Sequence, residues 1–318
     1  MSAEPATRVL TAGAQASEDG ARVLAAGGLV AFPTETVYGL GADASNGKAI
    51  ARLYAAKGRP QFNPLIAHVL DLAAARRLAV FDAAAQRLAE KLWPGPLTLV
   101  LPKATDCPVA DLATAGLDTV ALRVPAHAVA RELLAKFGKP VVAPSANRSG
   151  HVSPTTAAHV LGDLRGRIDL LVDGGATPVG LESTIISCVG GPTLLRPGAL
   201  SREIIEASLG VSLQAAALRD KPDAPGMLAS HYAPRAKLRL NANEARAGET
   251  LLGFGFAPDA ALNLSPGGDL VEAAANLFSH LRALDAKGAR VIAVMPIPYE
   301  GLGEAINDRL ERAAAPRS

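Results

Sequence analysis

The chain has 318 residues, more than one hydrophobic core usually organises, so two domains are expected. Hydrophobic residues make up 49% and charged residues 19%, which excludes a disordered chain. Thirty-two Lys and Arg against thirty Asp and Glu leave a net charge of +2, which excludes a general polyanion binder and confines any nucleic-acid contact to a local patch.

Two cysteines, Cys107 and Cys188, stand far apart without CxxC spacing, which argues against a disulfide scaffold or a zinc site and fits a reducing compartment. No stretch reaches the roughly 18 apolar residues of a membrane helix, and the first residues carry no compact apolar run. A cytoplasmic protein without membrane contact is expected.

In chain order, residues 17–26 have helical spacing, with Glu18 and Asp19 in the first turn and Gly27-Gly28 where the helix would stop. A short apolar strand at 29–32 runs directly into "FPTETVYGLG" (32–41), where hydroxyls and a glutamate follow the strand. The pattern then predicts a helix at 49–56, a strand at 65–69, helices at 71–78 and 82–92, and a sharp break at "WPGP" (93–96). Strands at 97–101, 119–124, 141–143 and 168–172 alternate with helices at 127–137 and 155–161. Segments 183–189 and 193–195 flank a "GGP" turn and read as a hairpin, so the sheet should be mixed, and a helix at 201–209 follows. Residues 214–236 carry three prolines and little periodicity, as expected of a linker or of a segment ordered by what it covers. Strands at 237–240, 250–254 and 290–295, with helices at 270–284 and 301–314, predict a smaller α/β domain.

Two nucleotide fingerprints come close and fail. "GLGADA" (39–44) fits GxGxx[GA], but it does not open directly from the preceding strand, and no acidic residue closes a second strand about 20 residues on. "GADASNGKA" (41–49) has five residues between its glycines where a P-loop has four, and Ala49 where a magnesium-binding hydroxyl belongs.

"KGRPQFNPLIAHV" (57–69) is more informative. Lys57 and Arg59 fit either a solvated turn closing a helix or a pair converging on an anion. "TVALRVP" (119–125), "APSANRSG" (143–150) and "STIISCVGGPTLLRPG" (183–198) each put Arg, Ser or Thr at the edge of an apolar strand, where open α/β sheets bind ligands. Arg123 and Arg196 lie in or at the end of strands, where a charge is costly unless an anion meets it; a salt bridge can explain one of them. With Lys57 and Arg59 they would suit a triphosphate and a carboxylate. His68 fits a core residue as well as a ligand contact. His127, His151, His159 and His280 read as structural, and no histidines group as metal ligands.

Taken in order, "FPTETVYGLG", "KGRPQFNPL", "WPGPLT", "PSAN", "ESTII…LRPG", "PGMLASHYAP" and "YEGLGEAINDRL" closely resemble the YrdC-like family of threonylcarbamoyl-AMP synthases in its longer, two-domain form. The resemblance covers about residues 15–315. It implies a twisted mixed sheet with flanking helices over 12–213, a linker or lid over 214–236, and a smaller Rossmann-like α/β domain over 237–318. It also implies a reaction in which L-threonine, bicarbonate and ATP give threonylcarbamoyladenylate and pyrophosphate. The product serves modification of the tRNA adenosine beside the anticodon, finished by a separate transferase complex, with a weak tRNA contact as a further partner. Magnesium would travel with ATP, without a dedicated protein site.

By the same resemblance Thr34, Thr36, Tyr38, His68, Arg123, the backbone at Ala143, and Ser183 face threonine. Lys57, Arg59, Asn63, Thr119, Ser145, Ser153, Arg196 and Tyr232 face ATP, with Lys57 and Arg59 as the catalytic cations. The family linker reads PGMKYRHYAP, whereas Leu228, Ala229 and Ser230 replace its basic and aromatic middle here. A lid over 222–236 is expected from its prolines, Gly226 and the His231-Tyr232 pair. A non-enzymatic RNA-binding module is the rival from another class. The carbamoyl transfer of related hydrogenase-maturation domains would bring an acylphosphatase-like region and zinc-finger cysteines.

Overall fold

The computed structural model describes residues 6–215 and 231–316. The first part contains β1 (Arg8–Thr11), α1 (Ala14–Ala25), β2 (Val30–Pro33), β3 (Tyr38–Asp43), α2 (Gly47–Lys57), β4 (Ile66–His68), α3 (Leu72–Arg76), α4 (Ala83–Leu92), β5 (Leu97–Pro102) and β6 (Thr119–Arg123). It continues with α5 (Ala128–Phe137), β7 (Val141–Val142), α6 (Ala157–Leu164), β8 (Leu170–Asp173), β9 (Thr184–Ser187), β10 (Thr193–Arg196), α7 (Arg202–Leu209) and β11 (Gln214–Ala215). The second part contains β12 (Lys237–Arg239), β13 (Thr250–Gly253), β14 (Leu262–Asn263), α8 (Leu270–Ala286), β15 (Val291–Val294) and α9 (Gly303–Ala314).

Two sheets result. The larger has the order β1-β8-β2-β3-β7-β4-β6-β5-β9-β10-β11 and mixes parallel with antiparallel pairs, and the expected hairpin is the antiparallel β9–β10 pair. The smaller, β12-β15-β13-β14, is parallel throughout. No helix among the described residues is long and apolar enough to cross a membrane.

The helices and most strands fall where periodicity places them, with boundaries moved by a few residues. Helix α1 starts at Ala14, so Glu18 and Asp19 sit beyond its first turn. Strand β3 is a larger departure, because "YGLGAD" pairs antiparallel with β2 and every residue in it is buried. A side chain at Gly41 would come within 2.8 Å of the Phe32 ring and 3.0 Å of Val141. Glycine stands there because neighbouring strands crowd that face, and the near-match to a dinucleotide loop is a strand interior.

The two sheets share an apolar core. Val37, Val152 and Leu181 from the first part and Tyr232 cluster with Leu277, Phe278 and Ile306 of the second. Across this seam the Arg309 side chain, fully buried in α9, donates from Nε to Glu182 Oε2 at 2.9 Å and from Nη2 to the Pro197 carbonyl at 2.9 Å. Its guanidinium also lies 5.0 Å from the centre of the Tyr232 ring. Breaking one half of a buried ion pair costs about 3–5 kcal/mol, because the other charge is left without a counterpart. Arg309→Met is therefore expected to destabilise the folded chain on that scale in denaturant unfolding, and adding Glu182→Met should recover part of the loss.

Candidate active site

Strand alternation divides the large sheet into two faces. Ala67, Leu97, Leu99, Leu101, Val120, Leu122 and Ile186 point into the main core. Their neighbours Ile66, Val100, Ala121 and Ile185 form a separate small cluster on the other face. Register aligns these strands: Ile66 lies beside Ala121, His68 beside Arg123, and Val100 opposite Ala121. The apolar cluster thus forms the middle of that face, with polar groups at both ends of the strands. His68 and Arg123 mark the end where the parallel β4 and β6 finish. Thr119 opens β6 at the other end, roughly 13 Å from Arg123 by the rise of a strand, and Asn63 lies in the segment leading into β4.

Lys57 closes α2, which ends at Gly58 in the left-handed region (φ 60°). That turn sends Lys57 Nζ to the carbonyls of Ser145 (2.6 Å) and Asn147. Arg59 Nη2 reaches the Pro64 carbonyl at 3.0 Å, and both cations are buried. The reading of this pair as a solvated turn is overturned by that burial. No carboxylate forms an ion pair with either among the described residues. Burial first, and then mutual repulsion, holds Lys57 well below its ordinary pKa; burial lowers Arg59 to about 10. Arg196, also buried, donates to the Ser183 carbonyl at 2.8 Å. His231 is held far below its ordinary pKa by burial and then by the charges of Arg59, Lys57, Arg196 and Arg309.

At the opposite end Arg123 Nη2 donates to Glu35 Oε1 at 2.6 Å, and Glu35 Oε2 accepts the Ala126 N–H at 3.1 Å. Burial raises the Glu35 pKa, but Arg123 outweighs it and the carboxyl stays below its ordinary value. Burial, then the Arg123 cation, lowers His68 to about 3, so its ring is neutral in ordinary buffers. Thr34 and Thr36 are buried with hydroxyls 2.8 Å apart, and Thr34 Oγ1 also donates to the Val37 carbonyl at 2.7 Å. Ser183 Oγ lies 2.8 Å from Thr98 Oγ1.

Lys57 and Arg59 lie with Asn63, whose carbonyl Arg59 Nε reaches at 3.4 Å, and His68 lies beside Arg123; Arg196 holds Ser183 through its carbonyl and Oγ, and Ser183 borders Thr98. Ala143 donates its N–H to the Ile66 carbonyl at 3.0 Å beside the apolar cluster, and the half-buried Ser145 contributes its carbonyl to Lys57. The Tyr38 hydroxyl is turned elsewhere, donating to the Gly175 carbonyl at 2.6 Å and accepting the Gly174 N–H at 3.2 Å. Ser153 is spent on Glu182, its Oγ donating to Oε1 at 2.5 Å. Residues 222–230 of the expected lid, Leu228, Ala229 and Ser230 included, lie outside the described residues. His231 and Tyr232 are described and buried, with rings 4.0 Å apart.

Sequence reasoning passed over Glu35, Thr98, Asn147, Glu182 and Arg309. Glu35 stood in a quoted motif, but only topology brings it to Arg123; Glu182 and Arg309 are 127 positions apart. Several buried polar atoms on these elements have no hydrogen-bond partner among the described residues: Arg123 Nε and the Tyr232 hydroxyl as donors, Asn63 Oδ1 and Asn147 Oδ1 as acceptors. Such atoms are rare in folded interiors, and a ligand carrying both acceptors and donors would satisfy them. No group of three His, Cys, Asp or Glu among the described residues is arranged to hold a metal ion.

A mixed α/β sheet with buried cations near a seam with a second α/β unit is the architecture of an enzyme that handles anionic substrates. The family profile described as "Telomere recombination" matches residues 22–198, and that described as "Threonylcarbamoyl-AMP synthase, C-terminal domain" matches 200–315. The chain is 41% identical to the threonylcarbamoyl-AMP synthase of Bacillus subtilis, covering 91% of this chain and 90% of the relative. It is 43% identical to that of Pyrococcus abyssi, covering 92% of each. The crystal structure of P. abyssi Sua5 complexed with L-threonine superposes with a TM-score of 0.89 at 39% identity, over 97% of both chains. The chain belongs to the threonylcarbamoyl-AMP synthase family, in its two-domain form.

The His68 shift sets a pH dependence. An unfolded histidine binds a proton below about 6.5, whereas the folded one resists it down to about 3, so stability falls as pH drops from 6.5 toward 3. His68→Gln should flatten the stability-against-pH curve between about pH 6.5 and 4.5, above the carboxylate range. Denaturant unfolding at a series of pH values measures it.

Proposed function

We propose that the chain makes L-threonylcarbamoyladenylate and pyrophosphate from L-threonine, bicarbonate and ATP. The adenylate would supply the threonylcarbamoyl group for the tRNA adenosine beside the anticodon. The observation that carries the reading is the likeness, over nearly the whole length of both chains, to a relative crystallised with L-threonine. The buried cations and unpartnered polar atoms support it.

The chemistry needs no nucleophilic side chain. The amine of threonine and bicarbonate form a carbamate with loss of water, and a carbamate oxygen attacks the α-phosphorus of ATP and expels pyrophosphate. Two anions must be brought together, so the protein contributes position and positive charge. In this reading Lys57 and Arg59 meet the phosphates with Arg196 and Asn63, and Thr119, Ser145, Ser153 and Tyr232 complete the nucleotide side. Arg123, His68, Thr34, Thr36, Tyr38, Ser183 and the Ala143 backbone take threonine. Magnesium accompanies the ATP phosphates as part of the substrate. Carbamate and mixed anhydride both hydrolyse, so closure by residues 222–236 would protect them.

We assign the catalytic domain to residues 12–213, the linker to 214–236 and the second domain to 237–318, with the reaction in the cytoplasm. A tRNA-modifying transferase complex would consume the product, with a weak tRNA contact as a further partner. A non-enzymatic RNA-binding role predicts salt-dependent tRNA binding without ATP turnover.

The test is incubation with ATP, bicarbonate and labelled threonine, with detection of the adenylate by mass; absence of threonine-dependent pyrophosphate release would overturn the reading. Lys57→Met and Arg59→Ala should each lower adenylate formation at least about tenfold, as expected when a charge-assisted contact in a transition state is removed. Thr36→Val and Ser183→Ala should raise the threonine KM more than the ATP KM, and the reverse pattern would exchange the two ends of the site.

A further inference from the structure

The two ends of this sheet face differ in charge balance. At the Lys57, Arg59 end the cations rest on carbonyl oxygens, and no carboxylate pairs with either of them among the described residues. At the other end the Arg123 guanidinium is matched one to one by Glu35. The pair is joined through one nitrogen only. Arg123 Nη2 is committed, while Nε is buried and has no partner among the described residues. A pair built for mutual strength would engage both edges of the fork.

Glu35 is itself held firmly. Its turn is shaped by Thr34 Oγ1, which accepts the Thr36 and Val37 N–H groups at 3.2 and 3.3 Å. Its carbonyl accepts the Val179 N–H at 3.0 Å, and the next carbonyl accepts that of Gly180 at 3.2 Å. With Oε2 fixed by the Ala126 N–H, the carboxylate has one orientation, and it can fix the guanidinium in one orientation too.

We propose that Glu35 is a positioning and specificity residue that acts through Arg123, orienting the guanidinium for a substrate carboxylate and cancelling its charge, so that this end admits an amino-acid zwitterion and rejects phosphate. The inference rests on the threonine reading of Arg123. An amino acid brings a carboxylate together with an ammonium and adds no net charge to a neutral pair. A phosphate or pyrophosphate group adds two or more negative charges beside Glu35, and like-charge juxtaposition rejects it. The same phosphate is drawn to the opposite end, where no acid pairs with Lys57 or Arg59. Glu35 thereby sorts two anionic substrates that share one sheet face.

Steady-state kinetics on the full chain tests this. Glu35→Gln keeps the volume and removes the charge. It should raise the threonine KM at least about tenfold, a scale typical of losing one well-placed charged contact, with kcat at saturating threonine and the ATP KM within about threefold. Inorganic pyrophosphate should also become a competitive inhibitor against threonine in Glu35→Gln and not in the wild type. A merely structural carboxylate would not create that competition. Glu35→Asp retains the charge with a shorter reach, so it should raise the threonine KM without admitting pyrophosphate. A threonine KM within twofold of wild type in Glu35→Gln, without pyrophosphate competition, overturns the proposal. If Glu35→Gln does not fold by circular dichroism, Glu35→Asp decides, and an unchanged threonine KM there overturns it. Wild-type turnover accompanied by either overturning result sinks this proposal alone, whereas a wild type that makes no adenylate sinks the functional reading beneath it.

Discussion

Buried cations with no carboxylate in an ion pair with them among the described residues govern the rest of this structure. Lys57 and Arg59 are each removed from water and paired with carbonyl dipoles, an arrangement that costs several kcal/mol per ion unless an anion completes it. Burial and mutual repulsion both depress Lys57, so the site holds strong positive potential before any ligand arrives. The αL glycine after α2, the loop at Ser145 and Asn147, and the segment at Asn63 and Pro64 all serve to keep these charges in place. An incoming triphosphate would relieve repulsion already present in the fold, which is electrostatic preorganisation in its plainest form.

The second domain bears on the same charges. Arg309 engages Glu182, Glu182 engages Ser153, and the neighbouring Ser183 lies under Arg196. A residue of the last helix therefore fixes groups beside Arg196, and Tyr232 is clamped between Arg309 and Phe278, with ring centres 5.6 Å apart in the latter case. Tyr232 takes a positive φ of 62°, a conformation that side chains other than glycine adopt only where packing enforces it. The seam between the domains is thus part of the apparatus that shapes the site.

Much of this was legible in the sequence. Apolar periodicity located the helices because each buries one stripe, as α4 does with Ala85, Leu88 and Ala89. Parallel and core strands showed as short apolar runs, and ordered motifs pointed to Lys57, Arg59, Arg123 and Arg196. What escaped was carried by pairing and distance. Strand β3 has two glycines and a tyrosine where a strand pattern expects branched residues, since its shape is set by neighbours on both sides. Local sequence left Lys57 open between a solvated turn and an anion contact, because nothing local reveals that Ser145 and Asn147 will close over it. The Tyr38 hydroxyl meets the chain turn at Gly174 and Gly175, a contact across 137 positions that no local pattern shows.

The strand register shows how one sheet face could serve two substrates of like charge. Parallel β4 and β6 finish side by side at His68 and Arg123, while Thr119 opens β6 and Asn63 precedes β4 at the other end, with an apolar cluster between. The cluster side chains Ile66, Val100, Ala121 and Ile185 offer no charge, so each anion would be confined to its own end. In the proposed reaction a carbamate would reach from one end to the phosphorus held at the other. A neutral His68 beside Arg123 adds no positive charge to a guanidinium already balanced by Glu35. A threonine carbamate carries two more negative charges than the zwitterion, so it would be held less well beside Glu35 and drawn toward Lys57 and Arg59, which rest on carbonyl oxygens.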